Sequence, residues 1–265
     1  MVIRPLDKDA LRASFRTAQP FPHMVVDDFL EPAFAAEVAA AYPSFDEARE
    51  QGFAFDFVRE RRKVQITDST RFAPPIARLH EALASPEFLA DLSDITGIQH
   101  LEADPTLSGG GVHVTGPGGR LDVHVDFNYN EERQVHRRLN ILVYLNPGWN
   151  PAWGGAVELW DRDVKRCYVS VPPVLNRCVV FETSEISFHG VTPVSEDAPG
   201  PRQSFAAYYY TKDAPPGWTG KTHSTIFRTR PNERFRRYVV VPAEHAWING
   251  RRSLRELRDR LLGRS

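Results

Sequence analysis

A chain of 265 residues with 42% hydrophobic and 25% charged residues has the make-up of a globular protein with a sizeable core, and its length suits one large β-rich unit. Its 33 basic and 34 acidic residues leave a formal net charge of -1, so no global attraction draws it to nucleic acid or another polyanion. Two cysteines, Cys167 and Cys178, make no disulfide framework, and no apolar run approaches the roughly 18 residues of a membrane span.

The N-terminus lacks a signal peptide's apolar centre, and together with the cysteine count this predicts a cytoplasmic protein that neither spans a membrane nor binds nucleic acid. One local exception to the charge balance stands out. From Arg228 to the end there are 11 arginines against 4 acids, a face best read as solvated and salt-bridged.

In chain order, residues 24–30 read as a short buried strand after a proline-marked turn. Phe34, Ala35, Val38 and Ala39 give 31–42 helical spacing, and Ile76, Leu79, Leu83 and Leu89 do the same for 75–92. The charged stretch 45–72 between them has no assignable period.

From Gly109 to Thr211 the pattern changes to short β-prone runs punctuated by Gly and Pro. Strands are expected at 112–114, 121–128, 137–146, 156–160, 164–171, 177–183, 187–191 and 202–211, with 116–119 as a turn. That number of strands with short connections suits a two-sheet jelly roll or barrel, and the lack of βαβ alternation argues against a doubly wound sheet. The expected fold is therefore mainly β with flanking helices, a single domain with a support region (1–108), a β core (109–211) and an extension (212–265). The extension carries a possible strand over 222–227, whose role is unassigned, and a closing amphipathic helix over 253–262.

The stretch 121–128, Leu-Asp-Val-His-Val-Asp-Phe-Asn, alternates strictly. Leu121, Val123, Val125 and Phe127 should share one strand face, and Asp122, His124, Asp126 and Asn128 the other. His124 and Asp126 then lie roughly 7 Å apart along the strand, within reach of one ion. His189, followed by Gly190, is the candidate third ligand. Two imidazoles and a carboxylate leave positions open for other ligands, which suits non-haem Fe(II); each histidine taken singly also reads as a hydrogen-bonded structural residue. Arg202 shares a strand face with Ser204, Ala206, Tyr208 and Tyr210, and a guanidinium with a hydroxyl beside it suits a carboxylate clamp. A structural Asp or Glu could supply that anion instead.

The set His124-x-Asp126, His189 and Arg202-x-Ser204 resembles the Fe(II)- and 2-oxoglutarate-dependent dioxygenases, in particular their prolyl-4-hydroxylase-like branch. Tyr144-Leu145-Asn146, Trp149 and Gly154-Gly155 are similar to that branch's pattern around its long central strand. The resemblance covers 109–211 and implies a double-stranded β-helix, a cupin-like jelly roll. It implies that His124, Asp126 and His189 bind Fe(II), and that Arg202 and Tyr144, with Ser204, hold the distal carboxylate of 2-oxoglutarate. Arg138 and Asn140 alternate with Tyr144 and would point into the same cavity, Arg138 at its rim. With His113 and Asn128 they are the candidate substrate contacts.

The reaction implied is hydroxylation of an unactivated C–H bond with dioxygen, releasing succinate and carbon dioxide, with ascorbate as an allowed reductant. The substrate is a prolyl residue of a polypeptide or a small molecule, and the oligomeric state is not legible. The alternative is a non-catalytic metal- or ligand-binding jelly roll.

Overall fold

The computed structural model describes residues 2–233 and positions 238 and 242. The expected closing helix over 253–262 and most of the arginine-rich tail lie outside the described residues.

The first hundred residues build a helical layer and a hairpin. α1 (Lys8–Thr17) starts at Asp7, whose side chain accepts from the Ala10 amide, and β1 (His23–Val26) follows. α2 (Pro32–Ala40) is the first of the expected helices. The unassigned charged stretch contains α3 (Phe45–Gln51), opened by a Ser44–Glu47 capping box, then β2 (Phe53–Phe55) and β3 (Glu60–Ile66). The single helix expected over 75–92 is two helices, α4 (Pro74–Leu83) and α5 (Pro86–Thr96). The break is local chemistry: the Ser85 hydroxyl accepts from the Phe88 amide, and Pro86 sits in the first turn, where its missing N–H is no loss.

The remaining strands are β4 (Glu102–Ala103), β5 (Gly111–Val125), β6 (Tyr129–Asn130), β7 (Val135–Tyr144), β8 (Val157–Trp160), β9 (Cys167–Val171), β10 (Cys178–Glu182), β11 (His189–Val191), β12 (Arg202–Thr211) and β13 (Ile226–Arg228). They pair antiparallel in the order β1-β10-β7-β12-β5-β11-β8-β9. The sheet curls because β5 serves both halves. Its first residues pair with β12, and from Leu121 onward it pairs with β11. The expected turn at 116–119 does not end the strand; it bulges outward between the pairs Lys63–Thr115 and Arg61–Arg120. The result is the expected mainly β, jelly-roll architecture with flanking helices.

Alternation along β7 divides the interior. Leu139, Ile141 and Val143 face the helices with Phe205 and Tyr209, against Val38, Ile76, Leu79, Leu83 and Leu92. Each such side chain contributes about 1.5–3 kcal/mol through burial. Tyr144 faces inward with Val157, Leu159, Val179 and Phe181, closing one end of the space between the two halves. Cys167 and Cys178 are both free thiols. Among the described residues no helix is long and apolar enough to cross a membrane.

Candidate metal and co-substrate site

The last turn of β5 and the first residue of β11 are direct neighbours, with His124 opposite His189. Their side chains meet Asp126 in a cavity of about 240 Å³. One ligand atom from each of the three residues lies within 4.8 Å of the others. His124 Nε2 is 3.5 Å from one Asp126 oxygen and His189 Nε2 is 3.4 Å from the other.

Both imidazoles are oriented from behind. His124 Nδ1 lies 2.9 Å from the Asp122 carbonyl and His189 Nδ1 2.9 Å from the Ser187 carbonyl. A carbonyl only accepts, so each Nδ1 carries the proton and each Nε2 presents a lone pair to the centre. Burial, with His124 beside it, pushes His189 down to about 3, which keeps it neutral at physiological pH. Burial alone would raise Asp126, but the Arg137 guanidinium and the two imidazoles overcome it and hold the carboxyl well below the usual range. Two imidazole nitrogens and one carboxylate facing an open cavity fit Fe(II). A structural zinc site closes with four protein ligands, and among the described residues this cluster has three.

Arg137 is the residue the sequence reading missed. Its Nη2 stands 3.1 Å from Asp126 Oδ2, and its Nε donates to Asn140 Oδ1 at 2.9 Å. Asn140 Nδ2 in turn donates to Asp126 Oδ2 at 2.7 Å. The guanidinium lies 3.6 Å from the Tyr208 ring centroid and 4.8 Å from that of Phe127.

Arg138, expected at the cavity rim, is not among the lining residues. The cause is a bulge: Leu139 pairs with Tyr209, but Arg137 pairs with Tyr210, so Arg138 is an extra residue and the alternation shifts by one. Arg138 turns instead to Thr211 at 3.3 Å and Glu182 at 3.8 Å. Burial raises Glu182 more than Arg138 lowers it, and burial lowers Arg138. A raised carboxyl means the folded state holds its proton to higher pH than the unfolded chain, so stability is lost as pH rises above about 4.3 and through the folded value. Glu182→Gln should remove that loss. Denaturant midpoints of parent and variant should diverge between pH 4 and 7 in the variant's favour; parallel midpoints would contradict it.

The co-substrate end is built around Arg202, which is 3% exposed. Its Nε donates to the Gly155 carbonyl at 2.7 Å and its Nη1 to Ser204 Oγ at 3.0 Å. Among the described residues its hydrogen-bond partners are this carbonyl and this hydroxyl, and neither is a carboxylate. Gly155 makes room: it has φ +71°, and a Cβ there would stand 3.0 Å from Arg202 Cδ. Tyr144 lies behind the clamp, its ring centroid 5.0 Å from the guanidinium carbon, and its buried hydroxyl has no hydrogen-bond partner among the described residues. Burial outweighs Arg202 in raising Tyr144, so the phenol stays a donor. Unspent donors on Arg202 and Tyr144 fit one end of a dicarboxylate.

His113 lines the cavity, bonded to the Gly109 carbonyl at 3.1 Å. Burial, with Lys63 and Arg202 near, pushes it well below its ordinary range. Asn128 is placed elsewhere. It donates to Glu185 and the Lys221 carbonyl and accepts from the His223 amide, joining loops outside the cavity. Lys63 and Gln65 from β3, Phe227 from β13 and Thr225 just before it also line the cavity.

Residues 110–210 match the model of the 2OG-Fe(II) oxygenase superfamily. The chain is 26% identical over 200 residues to prolyl 3-hydroxylase OGFOD1 of Mus musculus, covering 72% of this chain and 33% of that protein. It is 25% identical over 241 residues to prolyl 3,4-dihydroxylase OGFOD1 of Ostreococcus tauri, covering 86% and 43%. The chain thus spans less than half the length of these relatives. Among solved structures, a Pseudomonas putida prolyl-4-hydroxylase superposes with a TM-score of 0.53 at 18% identity, over 76% of this chain and 98% of that one. A Trichoplax adhaerens prolyl hydroxylase, solved with a hypoxia-inducible-factor peptide, gives 0.54 at 18%, over 77% and 89%. These two likenesses establish the prolyl-hydroxylase-like fold. His124, Asp126, His189 and Arg202 all lie within the residues matched by the 2OG-Fe(II) oxygenase superfamily model.

Proposed function

We propose that the protein is an Fe(II)- and 2-oxoglutarate-dependent dioxygenase that hydroxylates a prolyl residue of a polypeptide. The observation that carries the reaction class is the pairing of two features in one cavity. His124, Asp126 and His189 converge there, and Arg202 with Tyr144 offers unspent donors a short distance away. The names of the curated relatives support the prolyl target. So does size: a cavity of about 240 Å³ is smaller than the roughly 300–1,000 Å³ of sites that swallow whole ligands, and it must also take the co-substrate. That leaves space for one side chain presented by a longer chain.

When bound, Fe(II) with 2-oxoglutarate and dioxygen supplies the oxidising power for C–H hydroxylation, with succinate and carbon dioxide as co-products. The chain's own residues bind and orient. Nε2 of His124, Nε2 of His189 and the Asp126 carboxylate would hold the ion on one side, with Arg137 and Asn140 fixing the carboxylate. Arg202, Tyr144 and Ser204 would fix the far carboxylate of 2-oxoglutarate. Phe181, Leu142, Val157 and Val191 line the cavity with apolar surface and exclude water. Its two unpaired cysteines suit a reducing compartment, and we place the reaction in the cytoplasm.

The test is succinate release in a screen that sets prolyl polypeptides against free small molecules. Release that needs Fe(II), stops with a chelator and rises with a prolyl peptide is the expected result. Stimulation by small molecules alone would overturn the polypeptide assignment, and release indifferent to Fe(II) the reaction class.

A further inference from the structure

The segment from His223 to Arg228 has no role in the reading above, yet it reaches the metal strand. β3 pairs with β5 only as far as Leu121, which leaves the same edge of Val123 to Val125 open. β13 fills that edge, with Ile226 opposite Val125, Phe227 opposite His124 and Arg228 opposite Val123. The strand that carries the candidate ligands is therefore hydrogen-bonded on both sides by distant pieces of chain.

The segment is pinned at each end. At its start, the His223 amide donates to Asn128, and His223 Nε2 stands 2.9 Å from Glu185. Just after β13, Arg230 is 5% exposed; its Nε donates to Glu158 at 2.7 Å and its Nη2 to the Val191 carbonyl at 3.0 Å. A buried guanidinium held this way fixes the chain far more firmly than a surface pair. Between the pins, Phe227 turns inward and lines the cavity, its ring centroid 5.4 Å from that of His124 and 5.3 Å from the Arg59 guanidinium carbon. Ile226 turns out and is 41% exposed. The segment itself, 223–230, lies beyond residues 110–210, the part matched by the superfamily model.

We propose that 223–230 is a fixed strap forming the substrate-side wall of the cavity, and that Phe227 is the specificity-determining residue on it. The Phe227 ring presents an aromatic face beside the candidate ligands, with Phe55 from β2 and Phe127 on the same cavity. Aromatic faces of this kind accept a compact, uncharged aliphatic ring. The inference deepens the prolyl reading and rests on it for the identity of that ring. The strap also gives Asn128 a place, since its side chain accepts from the His223 amide and anchors the wall.

The test uses the full chain with Phe227→Ala, Phe227→Leu and, as a control on the outward face of the same strand, Ile226→Ser. With Mn(II) in place of iron, water-proton relaxation reports how freely water reaches the ion. Phe227→Ala should raise it at least twofold, Phe227→Leu less, and Ile226→Ser should match the parent. In the succinate assay, the prolyl peptide with the fastest release should show a KM raised more than tenfold by Phe227→Ala, with kcat changed less than threefold. Unchanged relaxation, or an unchanged peptide KM, overturns the wall. If Phe227→Leu and Phe227→Ala both lose Mn(II) binding, the ring is structural and the proposal falls. A parent inactive on every prolyl peptide sinks the prolyl reading alone, because the relaxation measurement needs no substrate.

Discussion

Asp126→Ala should abolish Fe(II)-dependent turnover and, in metal-free protein, lower stability by about 3–5 kcal/mol. The first effect follows from removing the carboxylate among three candidate ligands. The second follows from Arg137, whose side chain is 1% exposed and whose Nη2 is 3.1 Å from Asp126. Without Asp126 that guanidinium keeps Asn140 and two aromatic faces but has no anion, and a buried charge left alone carries its full desolvation cost. Asp126→Ala with Arg137→Met should recover much of the stability and none of the activity. Denaturant titration in the presence of a chelator, with Arg137→Met alone added to close the double-mutant cycle, measures the coupling. Equal stability of Asp126→Ala and parent would mean the pair is not coupled in the folded protein. Acid should expose the same coupling. The depressed Asp126 carboxyl contributes stability above about pH 3.9 that is lost as pH falls toward its folded value, and the alanine variant should lack that loss.

How far this site is legible in the sequence depends on the strand period. His124, Asp126, His189 and Arg202 were readable because their residue types are costly to bury without a purpose, and their spacing along β-prone runs put them on shared faces. The errors come at two bulges. On β5, Leu121 pairs with Val191 but His124 with His189, so three steps oppose two. Leu121 consequently lines the cavity with His124, although strict alternation puts them on opposite faces. On β7 the extra residue at Arg138 exchanges the places of two adjacent arginines. A bulge has no composition of its own, so Arg137-Arg138 gave no hint which side chain would turn inward. The helical layer failed differently. Ser85-Pro86 was a readable cap that the hydrophobic spacing across it concealed. The hairpin that brings Lys63 and Gln65 to the cavity could not be placed, and the strap with Thr225 and Phe227 was legible only as a possible strand over 222–227 without a role, because short strands held by their neighbours need no period of their own.

Arg202→Met should leave the metal-free protein as stable as the parent or more so, while weakening 2-oxoglutarate binding by roughly a hundredfold or more. The contrast with Arg137 is the reason. Both guanidiniums are buried, but Asp126 neutralises Arg137, whereas among the described residues Arg202 has a carbonyl, a hydroxyl and the face of Tyr144. A desolvated charge without an anion costs the fold stability until a ligand supplies one, and a thioether of similar length removes that cost. The loss should appear in binding: the ligand's far carboxylate would lose its planar partner and retain only the hydroxyls of Tyr144 and Ser204. Arg202→Lys should fall between, because an ammonium keeps the charge but not the two-pronged geometry. Calorimetry with 2-oxoglutarate on Zn(II)-loaded protein separates this from turnover, and thermal unfolding of the apo variants gives the stability arm. Unchanged affinity in Arg202→Met would move the co-substrate away from this end of the cavity. Unchanged affinity together with lost stability would make Arg202 a structural residue. Weakened affinity with undiminished stability is the outcome that assigns one buried arginine to the fold and the other to the ligand.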